Sequence, residues 1–363
     1  MEKKKLQVQL AKAFSRNFSF NRGIYRLIPK LTKSIKRRSD HLIKKEQKLP
    51  IKIRKLQALL RRLPSHHKER SRIEGEYAKS LAGYRGENSI DYHLTPYLSK
   101  EFLVLHDIRL LKDEKNYFQL DILLLTRSYL LILEVKNMSG TLCFDQKFQQ
   151  LIRTLNGKEE AFPDPILQIK KQQKNLRKWL LEQHFPDIPI YSYIVISNPS
   201  TILKTIPTYS ENVLKKVIHA GALEDKIQFL SSRFIENIMT IKELNKLSRL
   251  LIKRNTPINP NLLQQFQIPF SEIITGVHCV KCFSIPMKKI SGSWICMRCQ
   301  HTSKDAHIAS LQDYALLFGQ TITNKDMREF LHLSSPSSAS RILMTMNLEY
   351  TGSYKYRKYQ LPL

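Results

Sequence analysis

The chain has 363 residues, 42% of them hydrophobic, and a formal net charge of +29 at neutral pH. That length holds two or three domains with a buried core. No apolar run reaches the roughly eighteen residues of a membrane span; the most apolar stretch, Leu120 to Val135, is broken by Asp121, Arg127, Ser128 and Glu134. The opening MEKKKLQVQL lacks the apolar segment of a signal peptide, so a cytoplasmic protein is expected. The charge favours a polyanionic partner, by neutralising phosphates and releasing counterions. Nucleic acid is the expected partner, DNA ahead of RNA. An anionic membrane surface competes for the same charge, and a solvated tail is the plain alternative. Residues 1–72 hold 23 lysines and arginines against four acids, so most of the excess lies in the first fifth of the chain.

That basic arm, 1–72, reads as helical in parts. Ile51, Ile53, Leu56, Leu59, Leu60 and Leu63 recur at spacings of three to four, which predicts an amphipathic helix ending near Pro64. Glu74 to Tyr97 predicts a second helix closed by Pro96. Phe102 to Leu111 predicts a strand and Lys112 to Asn116 a charged turn. Phe118 to Leu125 and Tyr129 to Val135 predict two apolar strands joined at Arg127-Ser128. Gly140 to Phe144 predicts a short strand. Pro163 and Pro165 precede a helix from Ile166 to Gln183, and Ile188 to Ser197 predicts another strand. Residues 200–255 read as mainly helical, and Asn255 to Pro269, with three prolines, as a linker. The order helix, β-meander, helix, strand predicts an α/β domain with a mixed central sheet.

Asp121 and the run Glu134-Val135-Lys136 carry the chemistry. Strand alternation puts Glu134 and Lys136 on one face and Val135 on the other. A two-residue loop at Arg127-Ser128 makes cross-strand partners sum to 255, which sets Asp121 opposite Glu134 with Cβ atoms about 5 Å apart. Arg-Ser is a poor pair for such a loop. Carboxylates this close raise each other's pKa unless a cation lies between them. Oxygen ligation suits Mg²⁺ or Mn²⁺. Such an ion would activate water for phosphodiester hydrolysis, with Lys136 orienting the water or stabilising charge. The plain alternative is a salt bridge at a strand end, with Lys136 neutralising both acids.

Gly86-Glu87, FQLDILLL (118–125), LILEVKNMSG (131–140) and PILQIKKQQKNLRKWL (165–180) follow one another in order. On these segments, residues about 83–200 resemble the NERD family, the nuclease-related domain grouped with PD-(D/E)XK nucleases. The resemblance implies a restriction-endonuclease-like fold with a mixed central sheet flanked by helices. It implies descent from a metal-dependent nuclease. It also puts Glu87, Asp121, Glu134 and Lys136 on the family's active-site positions, and Gln168 on its helix glutamine, meeting phosphate or the metal shell. An exposed helix acid and an exposed helix amide are the bland readings of Glu87 and Gln168. A catalytically inactive nucleic-acid-binding or scaffolding protein on the same fold is the alternative function.

Cys279-x-x-Cys282 and Cys296-x-x-Cys299, thirteen residues apart, have the spacing of a zinc ribbon, two knuckles closing one tetrahedral thiolate shell. An iron centre or a redox dithiol pair are the rivals, and His278 and His301 flank the knuckles. Cys143 reads as an ordinary strand residue. Beyond the ribbon, Asp305 to Leu317, Asn324 to Leu331 and Ser337 to Met346 predict three helices, and LEYTGSYKYRKYQL alternates as a hairpin would. This is a helix-turn-helix-like, possible winged-helix segment, in which Ser337, Ser338 and Arg341 would open the recognition helix. A small helical cap on the ribbon is the alternative. The expected organisation is a basic arm (1–72), a NERD-like domain with helical extension (73–255), a linker (256–275), a zinc ribbon (276–302) and the helix-turn-helix-like tail (303–363).

Overall fold

The computed structural model describes residues 43–95 and 102–363. The first 42 residues of the expected basic arm lie outside the described residues. Chain order runs β1 (Ile43–Lys45), α1 (Ile51–Arg62), α2 (Arg70–Ser89) and α3 (Asp91–Leu94), then the meander β2 (Leu103–Leu111), β3 (Tyr117–Leu125) and β4 (Leu130–Lys136). Next come β5 (Thr141–Asp145), β6 (Gln150–Leu155), β7 (Lys158–Pro163), α4 (Pro165–Glu182), β8 (Ile190–Ile196) and β9 (Ile202–Thr205). The domain ends with α5 (Ser210–Leu214), β10 (Val217–His219), α6 (Leu223–Arg233), α7 (Ile241–Arg254) and α8 (Leu262–Gln265).

Six strands form a mixed sheet in the order β1-β2-β3-β4-β8-β10. The meander is antiparallel, and β8 runs parallel to both β4 and β10. Helices cover both faces, which is why Ile122–Leu125 and Leu130–Leu133 are apolar on both sides. On one face Leu123, Leu125, Leu130 and Ile132 pack with Leu176 and Leu180 of α4 and Leu247 and Leu251 of α7. On the other, Ile122, Leu124, Leu131 and Leu133 pack with Ile90, Leu94 and Leu223, Ile227 and Leu230 of α6. This is the expected α/β sheet flanked by helices.

The β3–β4 register is the expected one, with Leu125 opposite Leu130 and Ile122 opposite Leu133. Arg127-Ser128 forms the tight turn despite its poor propensity because other groups hold it. The Thr126 hydroxyl accepts from the N–H groups of Ser128 and Tyr129. The Arg127 carbonyl takes the N–H groups of Ile238 and Met239.

Three stretches differ from expectation. Residues 146–163 carry an unforeseen hairpin, β6–β7, turning on Asn156-Gly157, both at positive φ. With β5 and β9 it makes a second sheet in the order β7-β6-β5-β9. The segment 200–255 holds the strands β9 and β10 as well as helices. The expected linker is packed: Leu262, Phe266, Ile268 and Ile273 are buried with Leu56, Leu59, Leu63 and Ile73, so α1 is a core element too. α2 starts at Arg70 rather than Glu74 and ends at Ser89.

The C-terminal part contains β11 (Lys288–Ile290), β12 (Ser293–Ile295), β13 (Thr302–Ser303), α9 (Ala306–Phe318), β14 (Thr321–Thr323), α10 (Asn324–Leu331), α11 (Pro336–Thr345), β15 (Tyr350–Thr351) and β16 (Lys358–Gln360). Three helices and a small antiparallel sheet, order β14-β16-β15, make up the rest of this part. Trp294 and Cys279 of the ribbon share one core with Leu311, Phe330 and Leu343. The helices therefore also cap the ribbon.

Arg62 fastens this part to the rest. It is fully buried and donates to Asp313 at 3.0 Å and to the carbonyls of Ile274 and Gly276 at 3.0 and 3.1 Å. Its guanidinium lies 4.5 Å from the Phe330 ring centre. Arg61 takes the other oxygen of Asp313 at 2.6 Å. Arg62→Met leaves Asp313 half-paired and two carbonyls bare in a dry place, and is expected to cost about 3 kcal/mol in urea unfolding.

Candidate active site and metal centre

Asp121 and Glu134 meet where the sheet opens. Pairing of β3 with β4 stops at Ile122 and Leu133, one step short of the Asp121–Glu134 position. Asp121 Oδ2 instead accepts the Val135 N–H at 2.9 Å. On the other side, β2–β3 pairing runs from His106–Ile122 to Ile108–Leu120 and skips Asp107 and Asp121. Leu105 and Ile108 pack in one cluster, as do Leu120 and Leu123. A spacing of three breaks the two-residue alternation at both aspartates. Asp107 sits at φ +50, a left-handed conformation that an aspartate tolerates better than most residues.

Glu134 is almost fully buried, at 2% exposure, and both of its oxygens are held. Oε1 accepts from Lys136 Nζ and from Gln168 Nε2, each at 2.6 Å. Oε2 accepts from Gln172 Nε2 at 2.7 Å. Gln168 Oε1 in turn takes Lys136 Nζ at 3.1 Å. Gln168 and Gln172 lie one turn apart on α4, whose start Asp164 caps by accepting the Ile166 N–H.

Glu87 arrives from α2. The helix comes close because residue 86 is glycine: a Cβ there would clash with Asn137 Cβ and Ser197 Oγ. Asn137 Nδ2 donates to the Ala82 carbonyl at 2.8 Å and locks the approach. Gln47 Nε2 donates to Glu87 Oε2. A cavity of about 280 Å³ opens beside Glu87, Asp107 and Gln119, lined also by Tyr84, Pro257 and Ile258.

The five sequence-derived residues thus converge. Burial, then the charges of Glu134 and Glu87, raise the Asp121 carboxyl well above its usual range. Burial, then Asp107 and Glu134, push Glu87 up to about 7. Burial raises Asp107 as well. Lys136 opposes the shift at both Asp121 and Glu87. Acids whose proton affinities rise together form a site short of positive charge, which a divalent cation fits. Their oxygens do not close a cage: among the described residues, the one set of three or more ligand atoms all within 4.8 Å of one another is the cysteine set. An ion at the acids would complete its shell with water, as Mg²⁺ does.

Sequence reasoning missed Asp107 and Gln172. Gln172 was within reach, since it follows Gln168 by four residues and shares its helix face. Asp107 carried no periodic signal, because it marks the place where the period fails.

In the ribbon, Cys279 and Cys299 sulfurs lie 3.6 Å apart, and those of Cys282 and Cys296 lie 3.5 Å apart. Tetrahedral bonds of about 2.3 Å set thiolates about 3.8 Å apart, so the four fit zinc and are too distant for disulfides. The knuckles repeat one geometry. Phe283 N–H returns to the Cys279 carbonyl and Gln300 N–H to the Cys296 carbonyl, with both residues left-handed. Backbone N–H groups of the second knuckle pull Cys296 down to about 6. Gly292, at φ +72, turns the hairpin between β11 and β12. His278 faces Ser310 at 3.0 Å and Asp313 rather than the sulfurs. Cys143 is a half-buried residue of β5.

The chain matches NERD, the nuclease-related domain, over residues 82–197. The matched segment runs from α2 through β8 and includes Glu87, Asp121, Glu134, Lys136 and Gln168. The chain is also similar to an uncharacterized protein of Bacillus anthracis, 24% identical over 146 residues, or 40% of this chain. It spans 66% of that relative's length. A Vibrio cholerae protein of known crystal structure aligns with 47% of this chain and 36% of its own, at 13% identity and a TM-score of 0.24. No helix among the described residues is long and apolar enough to cross a membrane.

Because the folded state raises Glu87 from 4.5 to about 7, it binds that proton more tightly than the unfolded chain. The resulting stability is fully present below about pH 4.5 and is lost as pH rises through about 7. Glu87→Gln should flatten that decline in metal-free protein, read by chemical denaturation across this range.

Proposed function

We propose that this chain hydrolyses phosphodiester bonds in nucleic acid, DNA in preference to RNA, with Mg²⁺ or Mn²⁺ held by Asp121 and Glu134. The observation that carries this reading is the convergence of Asp121, Glu134, Glu87 and Lys136 where β3 parts from β4, inside the NERD segment. When bound, the cation supplies an activated water and neutralises charge on phosphate oxygens.

The protein groups divide the remaining work. Asp121 and Glu134 offer oxygens from neighbouring strands, just beyond the last β3–β4 pair. Glu87, poised near neutrality, accepts a proton from an attacking water. Lys136 moves from Glu134 toward phosphate oxygens as negative charge builds there. Gln168, exposed at the site's edge, donates its amide to the same phosphate. Beyond it Lys170, Lys171 and Lys174 continue along the exposed face of α4 and meet adjacent phosphates.

The ribbon holds zinc as a structural ion, since a closed thiolate shell leaves no position for substrate. Such a shell keeps best in a reducing compartment such as the cytoplasm. The winged-helix-like tail presents Ser337 and Arg341 on the exposed side of α11, where a major groove would meet them. That geometry favours duplex DNA.

Purified protein should carry about one zinc per chain by elemental analysis. With Mg²⁺ or Mn²⁺ it should cut DNA. Asp121→Ala and Glu134→Ala should each lower the rate roughly 100-fold or more while binding persists. Wild-type protein that binds but never cuts, across linear, circular and single-stranded DNA and RNA with either metal, would sink the catalytic reading and leave a nucleic-acid-binding protein.

A further inference from the structure

We infer that Gln172 is a positioning residue that sets the spacing between Asp121 and Glu134. The inference rests on the metal-dependent reading above and adds a part to it. Backbone pairing between β3 and β4 ends at Ile122 and Leu133, so beyond it the acids are held by side-chain bonds, of which the Val135 N–H to Asp121 Oδ2 contact is one. Gln172 spans that gap. Its Nε2 donates to the Gln119 carbonyl on β3 at 2.9 Å and to Glu134 Oε2 on β4 at 2.7 Å. Gln119 lies two residues before Asp121, so one amide group ties the backbone beside the first acid to the carboxylate of the second.

The two contacts demand two donors on one nitrogen. Both partners are acceptors, so only a group with two donors satisfies them together, and the nitrogen must be the atom that faces them. Gln172 is 5% exposed, and its Oε1 is buried without a hydrogen-bond partner. A polar side chain in that setting is costly unless its donors are used. Gln119 is held in turn, because its own Nε2 donates to Asp107 Oδ1 at 2.7 Å. The brace therefore runs from Asp107 through Gln119 and Gln172 to Glu134, across three strands and a helix. Gln168 differs, for it shares Glu134 Oε1 with Lys136 at the exposed edge and makes no bond to β3 among those described.

Gln172→Met keeps the side chain's length and removes both donors; Gln172→Glu keeps its shape and sets acceptor against acceptor. Full-length protein is used throughout, with circular dichroism to confirm the fold. Mn²⁺ affinity by titration calorimetry should fall roughly tenfold or more in both variants, the scale for removing an outer-shell partner. In metal-free protein, backbone hydrogen exchange at residues 119–121 and 134–136 should speed at least about tenfold, with the winged-helix-like region unchanged. Unchanged exchange at those residues overturns the brace, whatever the metal does. Faster exchange with wild-type Mn²⁺ affinity overturns the spacing role. If wild type binds no Mn²⁺ while the variants lose protection, the nuclease reading fails and the brace stands as a structural one.

Discussion

Crowding carboxylates into a half-dry place is the constraint that shapes the central α/β domain. Glu87, Asp107, Asp121 and Glu134 repel one another, and burial strips away the water that would screen them. Nearby features answer that cost. Lys136 and two glutamine amides surround Glu134. Backbone N–H from Val135 serves Asp121. Amides from Gln47 and Gln119 serve Glu87 and Asp107. The sheet gives up regular pairing beside the acids to make room. A fold seeking stability alone would fill the spot with leucine, as the flanking strands do.

The sequence made the central geometry legible for a simple reason. Strand parity is a rigid rule, so a two-residue loop at Arg127-Ser128 dictated every pair down to Ile122–Leu133. Gly86 was legible as half of a motif, and its cause emerged only with the close approach of Asn137. The hairpin at Asn156-Gly157 carries the strongest short turn signal in the chain, but its second strand, β7, is polar and exposed and shows no apolar alternation. The proline-rich stretch after α7 misled for a different reason. Prolines mark where a helix cannot continue, yet they do not say whether the segment packs, and Leu262 and Phe266 do.

The C-terminal part shows why the expected borders between modules have less meaning than their contents. Ribbon and helices share one core around Trp294 and Phe330, and Arg62 enters that core from a helix more than 200 residues earlier in the chain. The residues that make the ribbon and the tail recognisable are local, cysteine spacing and helix caps. The residues that join them are not, and a buried arginine among many basic ones gives no sequence signal of its own.

α1 has a distinct neighbour at each end. Its last turn places Arg62 against Asp313 and Gly276 beside the first knuckle, and its first turn supplies Ile51 and Ile53 to the wall of the cavity at Glu87. A twelve-residue helix is a stiff rod about 18 Å long. One rigid helix therefore sets the separation between the base of the ribbon and the wall beside the acids.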